Sequence, residues 1–75
     1  MPDLTFNGPA LRSARRRARI PATRLARAAG RTERSVRGYE TGNVQPPIRI
    51  AARLAAEVGV DLVELLAPAD ERRAG

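Results

Sequence analysis

Apolar residues recur every three or four positions along most of the chain, as one face of an α-helix requires. The spacing is clearest in residues 48–58, where the apolar positions are Ile48, Ala51, Leu54, Ala55 and Val58. Two weaker stretches precede it, with apolar positions at Leu11, Ala14 and Ala18 and at Leu25, Ala26 and Ala29. No segment alternates apolar and polar residues as a half-buried strand does. The pattern predicts an all-α chain.

Proline and glycine divide this pattern into five short helices. Pro9 suits the first turn of a helix that Asn7 can cap, and Pro21 ends that helix by forcing Ile20 towards an extended conformation. Glycine commonly follows the last helical turn, and three glycines stand where it would do so: Gly30, Gly42 and Gly59. The predicted helices are residues 9–19, 22–29, 33–40, 48–58 and 62–67.

Two of these helices have recognisable N-terminal caps. Thr32 is the predicted N-cap of the third helix, and Asp61 with Glu64 has the spacing of a capping box before the fifth. Pro68 ends the pattern, and the charged residues after it lack apolar anchors. We therefore expect an N-terminal arm at residues 1–8, a helical domain at 9–67 and a flexible charged tail at 68–75.

The composition limits what such a chain can do. Seventy-five residues form one small domain. There is no Cys and no His, so a disulfide, a thiolate metal site and the commonest general base are all excluded. We expect no enzyme activity, metal, cofactor or small-molecule ligand. No apolar run could span a membrane and no signal-peptide pattern is present, which predicts a cytoplasmic protein.

The charge is basic and unevenly distributed. All fourteen basic residues are Arg, whose planar group of donors suits phosphate and guanine. Residues 1–55 hold twelve of them and three acidic residues, whereas residues 56–75 hold two Arg and five acidic residues. Any single Arg can simply be a solvated charge. The asymmetry nevertheless predicts a polyanionic partner at one end of the molecule.

The second and third predicted helices have the spacing of a helix-turn-helix. Ala26 is small where a second helix must approach, Gly30 tolerates positive φ in the turn, and Val36 locks the next helix. The inner face is completed by Leu25 and Tyr39. The third helix then presents four residues on its free side: Glu33, Arg34, Arg37 and Gly38.

In this order and spacing the chain resembles the phage-repressor and Cro type of helix-turn-helix domain, which includes the xenobiotic-response-element regulators. The resemblance covers about residues 10–67 and is carried by 11-LRSAR-15, 25-LARAAG-30, 36-VRGYETG-42, Pro46, 54-LAAEVGV-60 and 62-LVELL-66. It implies a compact five-helix, lambda-repressor-like fold whose third helix enters the major groove of double-stranded DNA.

The resemblance also assigns roles to individual residues. The positions that would read bases are Glu33, Arg34, Arg37 and Gly38. The positions that would contact the DNA backbone are Thr32, Thr41, Asn43 and Gln45, with Thr23, Arg24 and Arg12 as further candidates. Arg donors match guanine O6 and N7, and a carboxylate can accept from the cytosine amino group. The absence of a side chain at Gly38 has two explanations. It lets the backbone approach the bases, or the glycine is a neutral substitution that the helix tolerates.

The same resemblance suggests that Arg15 pairs with Glu40, which falls on the inward side of the third helix, where a carboxylate needs a partner. The alternative is that Arg15 is one more solvated Arg. Three departures from the family pattern remove polar groups that usually cap helices or touch phosphate: Pro21, Ala22 and Pro47.

Two functions remain open at this point. The first is a sequence-specific, repressor-like regulator of transcription that binds double-stranded DNA. It would act as a homodimer whose interface, the dimer seam, consists of Leu62, Val63 and Leu66. The dimer would form either on DNA alone or also in the free protein. These apolar residues could instead cover the edge of the core. The first is the leading hypothesis; the second, which the polar groups missing at Pro21 and Ala22 suggest, is a protein-interaction module that has kept the fold and lost specific DNA binding.

Overall fold

A computed structural model of the chain describes residues 3–68, most of which are helical, as predicted. Within this range no helix has the length and apolar character needed to cross a bilayer. A 3₁₀ turn at Leu62–Leu65 follows the last α-helix, and two strands, β1 (Leu4–Phe6) and β2 (Leu66–Pro68), pair antiparallel. The α-helices are α1 (Gly8–Arg17), α2 (Ala22–Ala29), α3 (Glu33–Thr41) and α4 (Ile48–Val58).

The fifth predicted helix is the element that differs most from expectation. It consists of one 3₁₀ turn, which begins where the Asp61 amide donates to Glu64 Oε2 at 2.9 Å. Leu66 is then extended and pairs with Phe6, so that the helix cannot continue. Part of the predicted N-terminal arm thus forms a strand. Residues 1, 2 and 69–75 lie outside the described residues. They include the first two residues of the predicted arm and all of the predicted tail except Pro68.

The core lies where the four helices meet, and Phe6 of β1 closes it on one side. Ile48 was expected to face inward but is 66% exposed, and Ile50 is buried instead. Ile50 shares a face with Leu54 and Val58 at intervals of four, whereas Ile48 lies about 200° around the helix from Ile50. The largest fully buried side chains are Leu11, Leu25, Leu54, Leu65 and Val36.

Helix α1 begins as predicted and ends earlier than predicted. Asn7 is its N-cap, with Oδ1 accepting from the Ala10 amide at 3.2 Å. The helix ends at Arg17, and Arg19 has a φ of 58°, a left-handed conformation that residues with a Cβ rarely adopt. This reversal directs the carbonyl of Ile20 back towards Arg15, whose Nη1 donates to it at 3.0 Å.

The junction of α2 and α3 has the geometry that the sequence indicates. Gly30 has a φ of 71°, and the amide of Arg31 donates to Ala26 O at 2.8 Å. Thr32 caps α3, because its Oγ1 accepts from the Ser35 amide at 3.1 Å. The residues expected on the inner face are all buried: Leu25, Ala26, Val36 and Tyr39.

A second glycine brings α1 against the backbone of α3. Gly8 is buried, and a Cβ at this position would clash with the carbonyl oxygen of Tyr39 and lie 2.6 Å from that of Glu40. The start of α1 therefore packs directly on the last turns of α3, which fixes the orientation of α3 relative to the core.

Candidate nucleic-acid interface

The exposed side of α3 and the loop that follows it form an open groove of about 490 Å³, which we call the α3 groove. It is lined by Arg34, Ser35, Arg37, Gly38, Thr41, Asn43 and Val44. Three of the four residues predicted to read bases are in this list, and the fourth, Glu33, is joined to Arg37. The lining contains two cations and no acidic residue.

Glu33 and Arg37 form an ion pair along the helix, at the i, i+4 spacing. Arg37 donates from Nε at 2.8 Å and from Nη2 at 2.6 Å, both to Oε2 of Glu33. The Arg37 side chain is 63% exposed, so the pair adds at most about 0.5 kcal/mol to stability. Its main effect is to orient the guanidinium. Within residues 3–68, by contrast, the Arg34 side chain has no hydrogen-bond or ion-pair partner.

The hydroxyl groups expected to contact phosphate are exposed and engaged in local bonds. Thr32 Oγ1 donates to Ser35 Oγ at 3.1 Å in addition to capping α3, and Thr41 Oγ1 donates to Gly38 O at 3.2 Å. Asn43 lies in the α3 groove and is exposed. The other three candidates are exposed but do not line this groove: Thr23 and Arg24 on α2, and Arg12 on α1.

Gln45 has a structural contact that its sequence position did not indicate. Its side-chain Oε1 accepts from the Phe6 amide at 3.0 Å, which ties the loop between α3 and α4 to β1. The two partners are separated by 39 residues, so no local sequence pattern predicts the bond.

Gly38 leaves space that Val44 occupies. A Cβ on Gly38 would lie 3.3 Å from Cγ2 of Val44, and the Val44 amide donates to Gly38 O at 3.3 Å. The loop thus folds back onto α3 at this glycine. This packing gives a reason for Gly38 that neither of the two explanations offered from the sequence contains.

The structure brings Arg15 and Glu40 together behind the α3 groove. Nε of Arg15 donates to Oε2 at 2.6 Å and Nη2 to Oε1 at 3.3 Å, so both carboxylate oxygens are bound. The two side chains are 12% and 5% exposed. The hydrogen bond to Glu40 raises the pKa of Arg15 above its ordinary value, although burial acts in the opposite direction. The pair joins α1 to the end of α3.

The start of α2 shows what the departures from the family pattern do. Pro21 stands at the N-cap position and provides no side-chain hydrogen bond, and Ala22 is only 5% exposed. Ala22 therefore belongs to the core, and its side chain offers no group for a phosphate contact. Pro47 likewise precedes α4 without a side-chain cap.

The three residues of the expected dimer seam do not form one exposed patch. Leu62 is half-buried and packs against the core, and Leu66 is half-buried in β2. Val63 is 68% exposed. Leu4 and Ile48 are also exposed, and together with Leu66 they line a separate groove of about 170 Å³.

The described residues contain no group of three His, Cys, Asp or Glu side chains placed to hold a metal ion. What the α3 groove offers is a set of outward hydrogen-bond donors, with positive charge and one exposed isopropyl group, on a helix anchored from behind by an ion pair.

Similar architecture occurs in solved structures of other proteins. The clp gene regulator ClgR from Corynebacterium glutamicum has a TM-score of 0.74 at 22% identity, and the match covers 77% of this chain and 62% of that one. The hypothetical transcription factor NHTF from Neisseria has a TM-score of 0.72 at 25% identity, with 89% and 77% covered. This chain thus spans less than two thirds of the ClgR chain.

One similar structure is an enzyme, hydroxypropylphosphonic acid epoxidase from S. wedmorenis, with a TM-score of 0.71 at 25% identity. The match covers 87% of this chain and only 36% of the epoxidase, so the likeness concerns about a third of that enzyme. No curated protein matches the sequence. The family model that does match is described as a helix-turn-helix domain and spans residues 8–68, and the chain therefore belongs to the helix-turn-helix domain family.

Proposed function

We propose that this protein is a sequence-specific, repressor-like regulator of transcription that binds double-stranded DNA with α3 in the major groove. The observation that carries the proposal is the α3 groove, where Arg34 is unpartnered among the described residues and Arg37 is held by Glu33. Two of the similar structures are described as a gene regulator and as a hypothetical transcription factor, which supports the same function.

The ion pair on α3 suggests how two residues share the reading of bases. Both bonds from Arg37 use Oε2 of Glu33, and no described residue bonds to Oε1. Oε1 can therefore accept from a cytosine amino group while Arg37 keeps Nη1 for a neighbouring acceptor. Arg34 has all its donors available for guanine O6 and N7.

Contacts to the DNA backbone would come from around the α3 groove. Thr32, the N-cap of α3, and Asn43, which lines the groove, are both exposed, and the first-turn amides of α3 add positive potential. The further candidates on the surface are Thr41, Gln45, Thr23, Arg24 and Arg12. Because such contacts carry no sequence information, they would position α3 and leave specificity to the groove.

Arg34→Ala and Arg37→Ala test this proposal. Each is expected to weaken binding to the preferred sequence by about 1–3 kcal/mol and to relax base preference at one position. The preferred sequence is first selected from a random DNA pool, and affinities for it and for a random duplex are then measured by fluorescence anisotropy.

Arg17→Ala is the matched control. Arg17 is an exposed cation at the C-terminal end of α1, in a groove that α1 forms with the 3₁₀ turn, and it does not line the α3 groove. It should leave base preference unchanged. If the two α3 variants weakened preferred and random DNA equally, α3 would not read bases. A pool that yields no preferred sequence would favour the interaction-module alternative.

We further propose that two copies bind a near-palindromic site, with their α3 helices one DNA turn, or about 34 Å, apart. A single α3 reads few base pairs, so a second copy supplies the missing specificity. Of the proposed seam residues Leu62, Val63 and Leu66, the structure makes Val63 the suitable test, since it is 68% exposed and can change without disturbing the core.

Val63→Glu is expected to abolish cooperative binding of two copies while one copy still binds a half-site. Ala52→Glu is the control, because Ala52 is exposed on α4 and lines neither the α3 groove nor the groove that contains Leu66. Gel-shift titrations on full and half sites measure both. Unchanged two-copy binding by Val63→Glu would place the seam elsewhere.

A further inference from the structure

We propose that Val44 is a specificity-determining residue that reads the C5-methyl group of a thymine in the major groove. This inference rests on the proposed DNA binding and adds a base-reading position outside α3, in the loop after it. The carrying observation is that Val44 is 52% exposed while lining the α3 groove beside Arg34 and Arg37.

The position of Val44 is fixed on both sides. Its amide donates to Gly38 O at 3.3 Å, and its side chain covers the space that a Cβ on Gly38 would enter. The next residue, Gln45, is held by the Phe6 amide at 3.0 Å. Pro46 and Pro47 follow, with restricted backbone angles. The isopropyl group is therefore presented by an anchored loop.

The chemistry of the groove identifies what Val44 would meet. An exposed branched side chain among charged and polar neighbours gains free energy only if it contacts something apolar. Among the base edges in the major groove, the C5-methyl group of thymine is the apolar one, and side-chain methyl groups recognise it. Arg34 and Arg37 are suited to guanine. Because Val44 lines the same groove, it would contact the thymine of a neighbouring A·T pair.

Gly38 acquires a role in this arrangement. A Cβ at position 38 would lie 3.3 Å from Cγ2 of Val44, so a larger residue there would push the Val44 side chain by a few tenths of an ångström. Gly38 thus lets an apolar residue from the loop lie close against α3, on the side that would face the bases. The helix contributes donors, and the loop contributes a methyl-sized apolar contact.

Uracil substitution tests this inference without altering the protein. Uracil pairs as thymine does and differs by the single C5-methyl group. In the preferred sequence selected from a random pool, each thymine is replaced in turn, and the affinity of the unaltered protein is measured by fluorescence anisotropy. One position should lose about fourfold in affinity, which corresponds to ~0.8 kcal/mol for one buried methylene-sized group.

Val44→Ser then identifies the protein partner of that methyl group. In this variant the same uracil substitution should cost less than twofold, because the apolar contact has already been removed, as the logic of a double-mutant cycle requires. Ile48→Ser is the matched control. Ile48 is 66% exposed and lies outside the α3 groove, so the fourfold methyl dependence should persist.

Two results would overturn the inference while the proposed function stands: affinity for the preferred sequence that is indifferent to every uracil substitution, or an equal methyl dependence in Val44→Ser and the unaltered protein. A random pool from which no sequence is enriched would contradict the proposed function itself, and this inference with it.

Discussion

Glu40→Gln is expected to lower the free energy of unfolding by about 3–5 kcal/mol, since it leaves Arg15, whose side chain is only 12% exposed, without its charged partner. Both carboxylate oxygens of Glu40 bind the Arg15 guanidinium, and the Glu40 side chain is 5% exposed. Small domains have a total stability of about 5–15 kcal/mol, so this variant should be close to unfolding. Urea denaturation followed by far-UV circular dichroism measures the change.

Glu33→Gln is the control for this experiment. Glu33 also pairs with an Arg from α3, but in an exposed position, so its loss should change stability by no more than about 0.5 kcal/mol. If both variants unfolded like the parent, the Arg15–Glu40 pair would not support the fold.

The pH dependence of the Arg15 contribution has a definite sign. The hydrogen bond to Glu40 raises the pKa of Arg15 in the folded state. A group whose pKa is raised by folding contributes stability that is fully present below its unfolded pKa and is lost only as the pH rises through the folded value. The ordinary pKa of an Arg already lies above the pH at which folded proteins are usually studied. Mildly alkaline pH should therefore leave the contribution of Arg15 to stability intact.

Gly8→Ala is expected to destabilise the fold by about 1–3 kcal/mol through overpacking. The new Cβ would meet the carbonyl oxygens of Tyr39 and Glu40, which belong to the backbone of α3 and cannot rotate away. The expected sign is informative, because helix propensity alone would make Ala up to ~1 kcal/mol more favourable than Gly. Thermal and urea denaturation of the variant decide between the two effects.

Ser13→Ala provides the comparison on the same helix. Ser13 is exposed on α1, so the better helix propensity of Ala should act unopposed and raise stability by a few tenths of a kcal/mol. Stabilisation by both substitutions would mean that α1 can move away from α3 without cost.

The helices and their limits followed from local signals. The predicted bounds of α2 and α4 match the structure, because Pro21, Gly30, Pro47 and Gly59 act on the residues next to them. The fold class and the helix-turn-helix family were also predicted from such local signals, and both predictions were confirmed. The i, i+4 spacing of Glu33 and Arg37 on α3 is also a local signal for an ion pair. From the sequence, these two residues were assigned only to base reading, and the pair was not predicted.

The rest depends on contacts between distant parts of the chain. Strands of three residues are too short to show an alternation, so neither β1 nor the burial of Phe6 could be predicted. The bond between Gln45 and Phe6 crosses 39 residues. The contact between Val44 and Gly38 could be predicted only if the path of the loop back onto α3 were known. These non-local contacts are the ones that shape the α3 groove beyond α3 itself.

The pairing of β1 with β2 has a consequence for the order in which the molecule assembles and opens. Leu4 lies opposite Pro68, so this ladder closes a loop that contains nearly all of the described chain. The entropy of closing such a loop is offset locally by three residue pairs, by the burial of Phe6 and by the neighbouring bond from the Asn7 amide to Leu65 O. The ladder should therefore form last, after the helices have docked, and be the first element to open. An opening that carries Phe6 away would release Gln45, so the stability of the β1–β2 ladder should set how long the loop bearing Val44 stays ordered.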